Sequence, residues 1–311
     1  MSRRQLAPRR PGRLSGRVTT GVVLAIAVLW TLPTMGLFVT SLRPSEDAAY
    51  SGWWRAFVDH QVTLDNYREV LTGGDTLVQG IWPFFVNSIV IAVPVIVIGL
   101  ALASMTAYAL VWIPFRGARL VLGLVVALQI VPVQMALLPL QQLFYLGWSI
   151  GPVTVFPKIT DASGHPLIAG TFASLWLAHT MFLLPFGVYL MHRSISQLPR
   201  PLFDAARVDG ASHQQVFRLL ALPLSVPALA SLAIFDFLWV WNDLLLASTF
   251  VTGDSDHGPI TPYLSELSGS LVTHENLLSA GTFIAIACPL AVFFALQRYF
   301  SRGLLAGAIV E

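Results

Sequence analysis

Six stretches of about twenty predominantly apolar residues, near 18–41, 82–110, 120–146, 171–191, 223–250 and 278–297, leave this chain few ways to fold. A helical run of that length matches the ~30 Å hydrocarbon core of a bilayer. Lipid offers no hydrogen bonds, so a spanning segment must satisfy its own backbone, which a helix does. The expected fold is therefore all-α: a polytopic membrane protein with six transmembrane helices. With 55% hydrophobic and only 11% charged residues, the chain lies far from the roughly one-quarter charged balance of soluble domains.

The charges orient the spans. With the N-terminus inside, 14 of the 18 basic residues fall on the cytoplasmic side: Arg3, Arg4, Arg9, Arg10, Arg13, Arg17, Arg116, Arg119, Arg193, Arg200, Arg207, Arg218, Arg298 and Arg302. The outer segments keep Arg43, Arg55, Arg68 and Lys158, yet hold 11 of the 16 acids. This asymmetry follows the positive-inside rule and predicts that both termini are cytoplasmic. A basic region before an apolar run also opens a secretory signal. The run from Val18 to Thr40 is too long for that and ends in no small-residue cleavage pattern, so an uncleaved first helix is expected.

Several chemistries find no support. The single cysteine, Cys288, excludes a disulfide or a thiolate metal site within the chain. There is no phosphate-binding glycine loop and no His/Glu zinc pattern. A net charge of +2 gives no reason to invoke nucleic acid. The chain does not read as an enzyme, and any energy spent on its behalf must come from another subunit.

Between the fourth and fifth spans lies the polar stretch DAARVDGASHQQVFRLLALP, residues 204–223. Pro199 and Pro201 open a short helix, Asp209-Gly210 breaks it, and Ser212 with Gln215 forms a capping box that starts a second. Pro223 is expected to mark the turn into the fifth span. An amphipathic connector with Leu202, Val216, Leu219 and Leu220 turned to lipid or to the bundle explains the composition. A docking knob for a partner's cleft explains in addition the sharp turn, the double cap and an exposed aromatic on each helix, Phe203 and Phe217. A turn this short is expected to be stiff, passing displacement to Pro223 and the fifth span with little slack.

The segment closely resembles the EAA loop of bacterial ABC importer permeases, with Asp204, Ala205, Ala206, then Asp209, Gly210, Ala211, then Phe217 and Leu222-Pro223 at the pattern positions. The leading acid is Asp204 where the pattern has Glu. SLRP at 41–44, TLDNYREVL at 63–71, AYAL at 107–110 and the tail QRYFSRGLLAGAIVE at 297–311 are similar to the carbohydrate-importer branch, and 170–190 with 234–250 to its maltose and α-glucoside permeases of the second-permease type. The tail ends Ala308-Ile309-Val310-Glu311 without the family's customary lysine. The resemblance implies a basic cytoplasmic N-terminus over 1–17, a permease domain over 18–298 with its coupling loop at 192–222, and a cytoplasmic tail over 299–311. It implies a homologous second permease, two ATPase subunits that hold ATP and Mg, an extracytoplasmic sugar-binding protein, a sugar substrate, and no cofactor on this chain. The expected location is the bacterial cytoplasmic membrane.

Acids in a span are functional candidates because a charge there costs at least ~2.5 kcal/mol. Asp236, Trp239, Val240 and Asp243 are spaced i, i+3, i+4, i+7, so a continuous fifth helix would put them on one face. With Asn242 they form the candidate sugar path, since carboxylates accept from hydroxyls, amides do both, and an indole offers an apolar plane. Alternatively, Asp236 satisfies an interhelical hydrogen bond, and Trp241 with Asp243 sits in an outer aromatic belt. Gln129, Gln134, Gln141 and Gln142 on the third span either line a cavity or tie helices together, and Pro132 and Pro139 are expected to kink it. An ion-coupled secondary transporter using Asp236 is the competing reading.

Overall fold

The computed structural model describes residues 16–307 except 60, 61, 75, 78, 157–167, 169, 252–257 and 271–273. Arg3 to Arg13, Lys158 and the tail residues 308–311 lie outside the described residues. The chain runs through α1 (Gly16–Ser41), α2 (Ser45–Tyr50), a 3-10 turn (Trp53–Arg55), α3 (Ala56–Asp59), α4 (Asp65–Thr72), α5 (Trp82–Trp112), α6 (Ala118–Leu128) and α7 (Val133–Leu146). An antiparallel hairpin of β1 (Trp148–Ile150) and β2 (Val153–Phe156) follows, then α8 (Phe172–Ser196), α9 (Arg200–Val208) and α10 (His213–Val216). A π turn (Phe217–Ala221) leads to α11 (Leu222–Leu224), α12 (Val226–Trp241), α13 (Leu245–Phe250), α14 (Ile260–Ser270) and α15 (Glu275–Gly307).

Among the described residues four helices, α1, α5, α8 and α15, are long and apolar enough to cross a membrane unbroken. The predicted third and fifth spans are bent pairs, and the count reaches six when each pair is one crossing. The third breaks between Leu128 and Val133, where α6 and α7 diverge by 103°. Pro132 has no N–H to continue α6 and starts α7 as its N-cap. The fifth turns by 74° at Ser225, two residues beyond the expected Pro223, and its straight part ends at Trp241 rather than 250. Sixteen residues reach ~24 Å, short of the hydrocarbon core, and the separate α13 follows.

The bundle is organised around α5 and α8, which pack along one another. Small residues allow the close approach: a Cβ added at Gly187 on α8 would lie 3.1 Å from the Ala103 Cβ of α5. This is the packing by which membrane helices associate when no hydrophobic force distinguishes neighbour from lipid. Two buried clusters result. One, at the end carrying α9 and α10, joins Ala103, Tyr108, Met191, Ile195, Phe203 and Leu232. The other extends to the opposite end through Ile81, Phe84, Trp241, Phe250, Ile260 and Leu277.

At that opposite end a buried polar network ties the chain after α1 to α4 and α15. The Asn66 amide donates to the carbonyls of Ser41 and Arg43, both at 2.8 Å, and its own oxygen accepts from Asn276 at 2.8 Å. Arg43, 1% exposed, donates to the carbonyls of Asp47 and Ser51. Asn66→Leu keeps a similar branched shape but takes the donor from both carbonyls and leaves the Asn276 amide only its bond to the Ser45 hydroxyl at 2.9 Å, and each buried polar group left unpaired costs about 1–3 kcal/mol. The variant should lose about 2–4 kcal/mol and melt several degrees lower in detergent; an unchanged melting temperature would show that solvent replaces the lost bonds.

Candidate coupling loop and cavity

The DGA sequence of the polar loop is the end of a helix written in residues. The last turn of α9 closes with the Gly210 N–H on the Arg207 carbonyl and the Ala211 N–H on the Ala206 carbonyl. That pair of bonds is a Schellman motif with Gly210 as its left-handed residue, at φ +79°. Ala206 and Ala211 occupy the two positions that meet across such a turn. Ser212 then caps α10 in the predicted box, its backbone N–H donating to Gln215 Oε1 at 2.8 Å and its hydroxyl oxygen accepting from the Gln215 N–H at 3.4 Å.

The two faces of α9 differ. Pro201, Asp204, Ala205 and Val208 follow i, i+3, i+4, i+7 and are all exposed, Val208 to 87%. Phe203, expected on the surface, is fully buried and stacks on Trp112 of α5, ring centroids 4.0 Å apart at 12°. Arg207 donates to the Trp112 carbonyl at 3.2 Å and lies 5.7 Å from the centre of its ring. One turn back along α5, the Tyr108 hydroxyl is 3.2 Å from His213 Nδ1 and its ring packs on Phe217, centroids 5.2 Å apart. Each helix of the loop is thus held by one aromatic residue at the end of α5. Both aromatics on the loop serve this clamp, so the exposed knob is Asp204, Ala205, Val208, Asp209 and Gly210, and a Cβ at Gly210 meets nothing within 4 Å.

The join to α12 is not straight. Pro223 cannot donate to the Leu219 carbonyl, and the preceding residues open into the π turn, where the Leu222 N–H reaches the Phe217 carbonyl. The 74° bend at Ser225 follows directly. The clamp onto α5 is the tighter connection, and the sequence carried no periodic signal for it.

The expected single face of Asp236, Trp239, Val240 and Asp243 does not hold: Asp243 lies past the end of α12 at Trp241, and within α12 Asp236 and Val240 are buried while Trp239 is half-exposed. Asp236, ten residues or ~15 Å into α12, is 2% exposed and faces α5, its Oδ2 3.4 Å from where a Gly99 Cβ would sit. Its Oδ1 has no hydrogen-bond partner among the described residues. Trp239 points elsewhere and is 45% exposed. Asn242 caps the helix end, its amide donating to the Leu238 carbonyl at 2.8 Å. Asp243 accepts the Ala247 N–H at 3.0 Å, starting α13, and lies 3.5 Å from Nε2 of the buried His179. Trp241 is no belt residue: it is buried and donates to the Ala285 carbonyl of α15 at 3.2 Å.

A cavity of about 810 Å³ opens between the α6–α7 break on one side and α8 and α12 on the other. Of the candidate path residues Trp239 lines it and Asp236, Asn242 and Asp243 do not; Gln129 and Gln142 line it as well. Gln141 instead donates to the Thr249 carbonyl at 3.2 Å.

Comparison with known proteins gives the arrangement a context. Residues 85–305 match the family model described as binding-protein-dependent transport system inner membrane component. An osmoprotective compounds uptake permease of Synechocystis sp. is 45% identical over 292 residues, 92% of this chain and 90% of that protein. An α-glucoside transport system permease of Rhizobium meliloti is 36% identical, covering 92% and 95%. Among solved structures, a chain of a bacterial ABC transporter importing the acidic polysaccharide alginate shares the fold, with a TM-score of 0.69 at 20% identity over 94% of this chain and all of that one.

Trp112→Ala removes the stacking partner of Phe203, an aromatic pair worth about 0.5–1.5 kcal/mol beyond the area it buries. Hydrogen exchange by mass spectrometry should show the amides of 200–208 exchanging several-fold faster while α8 stays protected. Unchanged exchange there would mean that α9 is held by something other than this clamp.

Proposed function

The chain belongs to the family of inner membrane components of binding-protein-dependent transport systems, and from that premise we propose that it passes a sugar, an α-glucoside or related di- or oligosaccharide, from an extracytoplasmic binding protein to the cytoplasm. It is a transport subunit. The substrate class is supported by the 36% identical α-glucoside permease. The assembly comprises this chain, a homologous second permease and two ATPase subunits that carry ATP and Mg; this chain holds no cofactor. Both termini face the cytoplasm, which places the polar loop on the same side as the ATPases.

The observation that carries the reading is the loop's two-sided construction. Its inner face is clamped to α5 by Trp112 and Tyr108, and its outer face leaves Asp204, Ala205, Val208, Asp209 and Gly210 exposed among the described residues. An ATPase cleft receives Val208 and the Gly210 turn. When ATP closes the ATPases the loop moves with them, the clamp carries α5, and α8 follows through the small-residue seam. The bend at Ser225 absorbs the change of angle to α12. The cavity then opens to the binding protein, and hydrolysis resets it towards the cytoplasm.

In cells lacking their own copy, uptake of a radiolabelled α-glucoside should depend on ATP and survive collapse of the ion gradients. Gly210→Asp should reduce it at least tenfold with normal membrane levels, because among the described residues nothing lies within 4 Å of the new Cβ and aspartate tolerates a left-handed backbone better than bulkier residues do. Uptake that follows an ion gradient, with Gly210→Asp behaving as wild type, would overturn the reading in favour of a secondary transporter working through Asp236.

A further inference from the structure

The cavity beside the α6–α7 break has a definite chemical character. None of its lining residues is charged. On the α8–α12 side three rings run in sequence: Phe186 to Phe235 with centroids 4.5 Å apart, and Phe235 to Trp239 at 5.9 Å. On the α6–α7 side stand Gln129, at the break itself, and Gln142. Both glutamines are exposed, and neither side-chain amide is hydrogen-bonded among the described residues, whereas their neighbour Gln141 is spent on a backbone carbonyl.

An apolar strip opposite two unspent amides selects its occupant. An apolar helix of a partner subunit packed on this surface would bury the amides without partners, at about 1–3 kcal/mol each. A charged solute would find no counter-charge in a low-dielectric site, where an unpaired ion is costly. A neutral polyhydroxylated ring fits both walls. Its C–H face lies on the aromatic strip, and its hydroxyls donate to and accept from primary amides that do both. A broken helix at such a site also follows from membrane physics, because unpaired backbone at membrane depth is tolerated where it lines a cavity.

We propose that this cavity is a transit site for uncharged glycosides, in which Phe235 and Trp239 carry the sugar's apolar face, Gln129 and Gln142 bind its hydroxyls, and the charge-free lining turns away anionic sugars. The proposal rests on the reading of the chain as a sugar-importer permease and adds to it which residues of this subunit touch the sugar and which class they reject.

The test uses the full assembly in proteoliposomes with its binding protein, measuring uptake of radiolabelled maltose, sucrose and trehalose beside binding-protein-stimulated ATP hydrolysis. Trp239→Ala and Gln142→Leu should each lower uptake at least tenfold while ATP hydrolysis and melting temperature stay near wild type, and Trp239→Phe should restore most of it. Gln142→Glu should fall as far as Gln142→Leu. Wild-type uptake in both Trp239→Ala and Gln142→Leu would overturn the transit site and assign the cavity to a partner helix. A wild-type assembly that moves none of the three sugars while its binding protein stimulates ATP hydrolysis would sink the sugar reading itself and this proposal with it.

Discussion

The seam between α5 and α8 is the contact on which the remaining architecture depends. In a membrane no hydrophobic force distinguishes a neighbouring helix from a lipid tail, so association relies on how closely backbones approach. Gly187 against Ala103 sets that distance. Because α5 is one helix of 31 residues, whatever is fixed at one end is mechanically continuous with the other. At one end Tyr108 and Trp112 hold the polar loop. At the other, Ser88 accepts the Ile260 N–H at 2.8 Å and the Asn87 amide donates to the Gly258 carbonyl at 3.2 Å. The segment beyond α13 and the loop are thus fastened to opposite ends of the same rod.

Breaks in the helices are placed where this rod is not. The third and fifth crossings are interrupted at 129–132, at Ser225 and again after Trp241, while α5 and α8 run unbroken despite Pro94 and Pro185. Proline alone does not break a membrane helix that neighbours support. Both interrupted crossings line the cavity, and the unbroken α8 forms the wall they share while α5 packs along it.

What the sequence revealed divides along the same physics. The loop was legible almost residue by residue, because caps, Schellman turns and N-terminal prolines are local and each has its own chemistry: Pro201, Gly210, Ser212 and Gln215 stand where their types require. The apolar segments were legible from hydropathy, and two breaks within them from proline: Pro132 stands at the break of the third, and Pro223 lies two residues before the turn at Ser225. The end of α12 at Trp241 was not, since a hydropathy window averages over it. The face shared by Asp236 and Asp243 failed for that reason: helical periodicity holds only while the helix lasts, and α12 ends between them. The clamp was invisible because Phe203 and Trp112 are distant in sequence, and an aromatic in a polar loop reads the same whether it faces a partner or its own bundle.

Asp236 has a consequence for how the protein is made. A carboxyl two-thirds of the way along a helix of only sixteen residues is a poor candidate for partitioning into lipid alone. The niche beside Gly99 that receives it belongs to α5, which precedes α12 in the chain. The carboxyl is therefore shielded from lipid by a helix made before its own.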